Sequence, residues 1–323
     1  MNPEQGGIKQ TLITPEEKAK KEQTILKEQK RRERMRQLAQ RTWDESKPIS
    51  DTVVESYLKK HRKIMVDVNK IEVRYHPKVP NIISYNNNQL RIGDRRPAMV
   101  VSFLNDQNEL TGIQCTYLDK VTQNKDKSVQ IPKCTIGQVW GGAGIIFKGG
   151  EEKVIVSEGA ETAMSLIHCE PKSTIYITGG NMQNIQHFDY LALQHDEKEI
   201  YIAADNDLSE NSGSWKATEA GARKLAEKGI KPIVSQPDAI KGQKTDFNDV
   251  MKEYDSREVK RQFSPKYFFD PQCNITDDTK MCSIDLTPKS AKRTTKNNSF
   301  KVPDLKLRSH TLDTENKDII KER

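Results

Sequence analysis

Two rhythms of apolar and polar residues divide this chain. Between residues 15 and 42 it is dominated by Lys, Glu, Gln and Arg, with apolar positions as sparse as Ile25, Met35 and Leu38, and Trp43 just beyond. That pattern predicts a charged helix able to dock along one narrow edge at most. Its start is marked by Thr14-Pro15-Glu16-Glu17, which supplies a capping hydroxyl, proline at the first helical position and glutamate three residues after the cap. A short helical segment at 51–58 follows. Residues 98–103 and 110–118 then read as strands, joined through Asn105-Asp106-Gln107-Asn108, which has hairpin chemistry.

From Lys153 the rhythm becomes an alternation. Apolar strands at 154–156, 174–178, 199–204 and 231–235 are separated by helical patterns at 160–168, 185–194 and 215–228, the last stopping at Gly229, and a final helix is expected over 247–263. Short apolar strands alternating with helices predict a parallel sheet covered on both faces. Residues 1–13 and the polar stretch beyond 263, with runs such as Lys289-Ser290-Ala291-Lys292-Arg293, are expected to be disordered.

Composition narrows the classes. Hydrophobic residues are 34% of the 323 and charged residues 31%, which is lean for a chain packed from end to end. The net charge of +7, with Lys and Arg widely spread, suits a polyanionic partner such as nucleic acid. The basic cluster Lys30-Arg31-Arg32 with Arg34 and Arg36 could lie along phosphates or form a solvated helix face. With no apolar run long enough to span a membrane and no secretion signal at the start, a cytoplasmic location is expected. The five cysteines are far apart and form no CxxC pair, so they read as free thiols and no zinc is expected.

The chemistry concentrates where the expected strands end. In an open parallel sheet, ligands bind beyond the carboxyl ends of the strands, where the loops converge. The first strand runs into Glu158-Gly159, the third into Asp205-Asn206-Asp207, and the loop after the fourth carries Lys244-Thr245-Asp246-Phe247-Asn248-Asp249. Carboxylates gathered at one edge repel unless a cation or a proton is shared, and Mg2+ held by carboxylates, water and substrate phosphate resolves that conflict. Gly159 lets a phosphate approach closely. Gly141-Gly142-Ala143-Gly144 looks like a phosphate loop, but it lacks the Lys and Ser/Thr of a P-loop and opens no helix, so it reads as a turn between strands.

Glu158-Gly159-Ala160-Glu161-Thr162-Ala163, Thr178-Gly179-Gly180-Asn181, Ala204-Asp205-Asn206-Asp207 and Thr245-Asp246-Phe247-Asn248-Asp249 resemble the Toprim domain, the catalytic fold of bacterial-type primases, of type IA and type II topoisomerases and of some nucleases. The likeness is to phage and plasmid primases and conjugative DNA-transfer proteins. It extends upstream through Tyr57-Leu58, Arg74-Tyr75-His76-Pro77, Pro97-Ala98-Met99-Val100, Thr116-Tyr117-Leu118-Asp119 and Gly141-Gly142-Ala143, which are similar to the domain preceding Toprim in those proteins.

The chain is expected to divide into a disordered start and charged helix at 1–45, an α+β domain at 46–150 that the resemblance makes the domain preceding Toprim, a Toprim α/β domain of about four parallel strands at 151–262, and a disordered tail at 263–323. The resemblance implies Glu158 as general acid or base, Glu158, Asp205 and Asp207 at Mg2+ or Mn2+, and Gly159, Lys244, Asp246 and Asn248 in the metal or phosphate shell. Glu161 reads as a first-turn partner of its helix dipole. The chemistry implied is nucleotidyl transfer on single-stranded DNA, with nucleoside triphosphates as substrates of a primase and a helicase or relaxase as partner. The alternatives are a Toprim nuclease and a truncated, non-catalytic DNA-binding fragment. The sequence departs from the family pattern in having no cysteine or histidine set for an N-terminal zinc module and a longer loop after Asp207.

Overall fold

The computed structural model describes residues 14–86, 89–150, 153–193, 198–209, 211–268 and 282–283. Helix α1 (Pro15–Asp44) opens at the expected cap: Thr14 Oγ1 accepts from the Glu17 backbone N–H at 3.3 Å, and Glu17 Oε2 accepts from Thr14 N at 2.9 Å. Of α1 only Ala39 and Thr42 are buried, as its sparse apolar stripe allows. Arg31 and Arg32 pair with Glu28, and Arg36 with Glu33, along the exposed face. The segment at 51–58 is one turn, α2 (Val53–Ser56), running into a π-turn at Tyr57–His61.

Strands β1 (Val73–Asn86), β2 (Gln89–Leu104), β3 (Leu110–Tyr117), β4 (Lys133–Gly137) and β5 (Ala143–Lys148) come next. The glycine cluster is a turn leading into β5, with Gly141 at φ +85°. The alternating half consists of β6 (Val154–Ser157), α3 (Ala160–Leu166), β7 (Thr174–Ile177), a 3-10 turn at Met182–His187, α4 (Asp189–Ala192), β8 (Glu199–Ala203), α5 (Gly213–Glu227), β9 (Lys231–Ser235), α6 (Phe247–Glu253) and α7 (Ser256–Gln262). Two differences from expectation have local causes. The helix expected over 247–263 is two helices, because Asp255 caps α7 by accepting from the Arg257 and Glu258 backbone N–H groups at 2.8 and 3.0 Å. The one expected over 185–194 is the 3-10 turn followed by a single α-turn.

The four expected strands are parallel neighbours in the order β9-β8-β6-β7. Alternation along β6 puts Ile155 into a core beneath α3, α6 and α7, and Val154 and Val156 into a second core beneath α5 on the other face. Strand β5 lies antiparallel to β7 and also pairs with β2, so the mixed sheet continues without a break into β1, β3 and β4. On the far side β10 (Tyr267–Phe268) pairs with β9, and β11 (Cys282–Ser283) with β10. Both fall within the stretch expected as tail; residues 1–13 and those from 284 onward lie outside the described residues.

Among the described residues no helix is long and apolar enough to cross a membrane. Cys115, Cys134 and Cys169 are buried free thiols.

Candidate active site

Ser157 is the register partner of Ile177 and of Ala203, and Ala203 of Ser235. The parallel strands therefore end level with one another, and Glu158 and Asp205 leave the sheet one and two residues beyond a single edge. The third acidic loop is pulled to that edge by a two-way backbone pair. Asn206 N donates to Thr245 O at 2.8 Å, and Thr245 N donates to Asn206 O at 3.0 Å. The Asn206 side chain fixes the same loop, its Nδ2 donating to Pro237 O at 2.9 Å and its Oδ1 accepting from Leu208 N at 3.0 Å.

Around this pair the charges interact strongly. Asp205 Oδ1 is buried without a hydrogen-bond partner. Burial, the carboxylates of Asp246 and Glu158, and to a smaller extent Asp207 push the Asp205 carboxyl up to about 7, with Lys244 opposing. Asp207 is held by the Lys244 ammonium in an ion pair, which in turn raises the proton affinity of Lys244. Glu158 Oε2 accepts from Ser214 Oγ at 3.1 Å, at the first turn of α5. Asp246 caps α6 in a reciprocal box with Asp249, and burial followed by the Asp249 charge raises its carboxyl above the ordinary range.

Asn248 is fully buried. Its Nδ2 donates to Arg62 O at 2.9 Å and to Ser165 Oγ at 3.0 Å, and its Oδ1 accepts from Arg62 Nη1 at 3.4 Å. Its amide thus braces Arg62. Gly159 caps α3 with φ −124°, a conformation open to any residue, and a Cβ there would meet Lys133 Nζ at 3.5 Å and Glu161 Oε2 at 3.8 Å. It marks the seam between the acids and a second, cationic cluster.

Glu161, expected to serve its own helix, is the centre of that cluster. It is 5% exposed, and it pairs with Lys125 Nζ at 2.8 Å and Lys133 Nζ at 3.4 Å. It also accepts from Tyr57 Oη at 2.8 Å, while Tyr57 Oη accepts from Arg62 Nε at 2.7 Å. Burial acts to raise the Glu161 carboxyl, but Lys133, Lys125 and Arg62 overcome it and hold the group well below the usual carboxylate range. Lys125 is drawn below its ordinary value by burial, against the pull of Glu161 and with Lys133 and Arg62 repelling it. Against these three cations stand Glu161 and, acting on Arg62, Asp246, which still leaves positive charge in local excess.

The fit to a divalent cation is specific but narrow. Among the described residues no group of three His, Cys, Asp or Glu side chains is arranged to hold a metal ion. Mg2+, however, is commonly held by one or two carboxylates, with substrate phosphate and water completing its shell. Asp205, with an orphaned buried oxygen and a carboxyl raised first by burial and then by three neighbouring acids, suits such a cation, and Asp207 stands beside it.

Residues 153–255 match the family model of the Toprim domain. The chain carries a Toprim domain. Residues 33–146, ahead of it, match a domain of unknown function, DUF7146. No curated protein matches the sequence. Among solved structures the chain is similar to the zinc-binding and RNA polymerase domains of the Aquifex aeolicus primase, at 15% identity and a TM-score of 0.44, over 72% of this chain and 61% of that one. It is similar to the primase fragment of the bacteriophage T7 primase-helicase protein, at 15% identity and 0.35, over 52% and 62%. It is similar to a DNA primase domain from Pseudomonas aeruginosa, at 9% identity and 0.46, over 71% and 78%. The chain spans about three fifths of the first two. In the Toprim domain the acidic loops and Gly159 lie within the matched region, whereas Tyr57, Arg62, Lys125 and Lys133 are contributed from ahead of it.

Proposed function

We propose that this protein is a DNA-metabolism enzyme of the primase type, transferring nucleotidyl groups on single-stranded DNA with Mg2+. The observation that carries this reading is the meeting, at Gly159, of a cluster of carboxylates with a cluster of cations that its own carboxylate does not neutralise. A nucleoside triphosphate presents what each cluster lacks: phosphate oxygens for Arg62, Lys125 and Lys133, and a cation to share with Asp205. Mg2+, when bound, would neutralise phosphate charge and orient the reacting oxygens.

The roles of the chain's own residues follow from their surroundings. Glu158, steadied by Ser214, would take the proton of an attacking 3′ hydroxyl or return one to a leaving oxygen. Asp205 and Asp207 hold the cation. Glu161, through its ion pairs, and Asn248, through Arg62, keep the three phosphate-binding cations in place. Hydrolysis of a phosphodiester would use the same charges, so the products decide between synthesis and cleavage.

A second reading, a nucleic-acid-binding module without turnover, is favoured by the ion pair that Lys244 makes with Asp207. The test is Mg2+-dependent primer synthesis on single-stranded DNA, with and without an added helicase or relaxase, for the parent protein, Glu158→Gln and Asp205→Asn. Primers made by the parent alone support the enzyme. DNA binding with neither synthesis nor cleavage in any condition supports the module and sinks the enzyme.

A further inference from the structure

Trp140 is 42% exposed, although the residues around it are unusually well fixed. The loop that carries it is organised by Asn184, itself 1% exposed. Asn184 Oδ1 accepts from Gly141 N at 2.8 Å, and its Nδ2 donates to Val139 O, Gly142 O and Thr178 O at 3.0, 3.1 and 3.2 Å. Gln138 Nε2 adds a 3.0 Å bond to the Trp140 carbonyl. A large aromatic side chain is thus presented to solvent from a backbone with little freedom.

The loop sits at the edge where the acids emerge. Thr178, whose carbonyl Asn184 holds, donates its N–H to Ser157 O at 3.0 Å, one residue before Glu158. A Cβ on Gly179 would touch Val139 Cβ at 3.6 Å, which places the Trp140 loop directly on the turn that follows β7. Gly141, next to Trp140 in sequence, and Gly180, in the turn after β7, are both at positive φ, and a Cβ on either would meet nothing within 4 Å. Adjacent strands are about 4.8 Å apart, so β7 and the loop beside it are within reach of a short oligonucleotide lying along this edge.

The indole keeps an open face. Among the described residues its ring partner is His187, at 5.0 Å and 76°. An edge-to-face pair of this kind covers at most one face of one ring. Of the two aromatic side chains exposed among the described residues, Tyr254 lies at the far end of α6 from its Asp246 cap, and only Trp140 is at the carboxyl edge.

We propose that Trp140 is a stacking platform for one nucleobase of a single strand whose phosphates run past Glu158 to the Arg62, Lys125 and Lys133 cluster. This rests on the nucleic-acid reading above. Stacking on an aromatic ring is tolerant of base identity, since every base offers a π-face, so the platform would position the strand without selecting its sequence.

The test is fluorescence anisotropy with a labelled oligothymidylate of about 15 nucleotides, within the range of known single-strand sites, using the full chain. Trp140→Ala should weaken binding about tenfold, the order expected for loss of one base–aromatic stack, with Trp140→Phe recovering most of it. A scan of abasic positions should find one whose removal weakens the parent about as much, and that loss should vanish in Trp140→Ala. The substitution is at an exposed position, and an unchanged circular dichroism spectrum and melting temperature check that the fold is intact. Parent-like binding by Trp140→Ala, or an abasic loss that persists in it, overturns the platform while leaving the nucleic-acid reading standing. A parent that binds no single strand at all overturns both.

Discussion

Tyr57 Oη donates a 2.8 Å hydrogen bond to Glu161 Oε1, joining two buried side chains 104 positions apart. The bond ties the π-turn at Tyr57–His61 to the first turn of α3, and with Lys125 and Lys133 it makes Glu161 one of the points where the upstream segment meets the Toprim domain. Glu161→Gln would leave those cations facing a neutral amide. The expected loss is about 2 to 3 kcal/mol, below the value for a fully enclosed pair because the two lysine side chains are 30% and 33% exposed. Tyr57→Phe should cost about 1 kcal/mol, one hydrogen bond. The Glu161 carboxyl is depressed in the folded state, so its contribution is complete above the unfolded value of 4.5 and disappears as pH falls through the lower folded value. Urea titrations across pH 2–7 should therefore show less acid destabilisation in Glu161→Gln than in the parent; equal slopes would rule out the buried anion.

Lys125 and Lys133 are read as phosphate ligands as well as partners of Glu161. Replacing either with Gln should weaken single-strand binding at low salt and reduce the slope of log K against log salt by about 0.7 per charge removed. A substitution that lowers affinity equally at all salt concentrations would point to damaged structure instead. Nucleotide titration separates the roles further, since loss of a triphosphate contact raises KM more than it lowers kcat if the contact is made equally in ground and transition states.

The parallel strands and acidic loops were legible because both signals are local. Ile155 and Val156 must be apolar when helices cover both faces, and Glu158 and Asp205 follow their strands directly. Glu161 was not legible, because its partners stand at 57, 125 and 133 and its own neighbourhood in sequence looks like an ordinary helix start. Strand β1 was hidden by Pro77 and Pro80, residues that argue against a strand, and both lie at breaks in its register with β2. Asp255-Ser256-Arg257-Glu258 did carry a signal, a capping pattern that splits the last expected helix in two. Ser214 carried only a faint one, a hydroxyl at the start of a helix.

Asp205 titrates in the opposite sense to Glu161. Its folded value of about 7 lies above the ordinary 3.8, so the folded state binds the extra proton between these two values and stability falls as pH rises through that window. The metal-free protein should be less stable at pH 8 than at pH 5 by a contribution on the order of a few kcal/mol. Asp205→Asn should remove much of that dependence and melt higher than the parent at pH 8. Millimolar Mg2+ should stabilise the parent at pH 8 and leave Asp205→Asn nearly unaffected. A parent whose melting temperature ignores Mg2+ at pH 8 would argue against a cation at Asp205.

Lys244 is the cation already in contact with the acids, through Asp207, but its side chain is 61% exposed while that of Asp207 is 12% exposed. A pair so placed contributes little to stability, so Lys244→Met should cost no more than about 1 kcal/mol without metal. Its larger effect should be on metal. With the ammonium gone, Asp207 and Asp205 lose their nearest neutralising charge, and a divalent ion gains what the lysine had supplied. Calorimetric titration should show Mg2+ binding severalfold tighter to Lys244→Met than to the parent, and the pH 8 melting temperature should rise more steeply with Mg2+. Should the variant instead bind Mg2+ more weakly, Lys244 would be a support for the site and not a competitor, and the ion pair with Asp207 would belong to the loaded state.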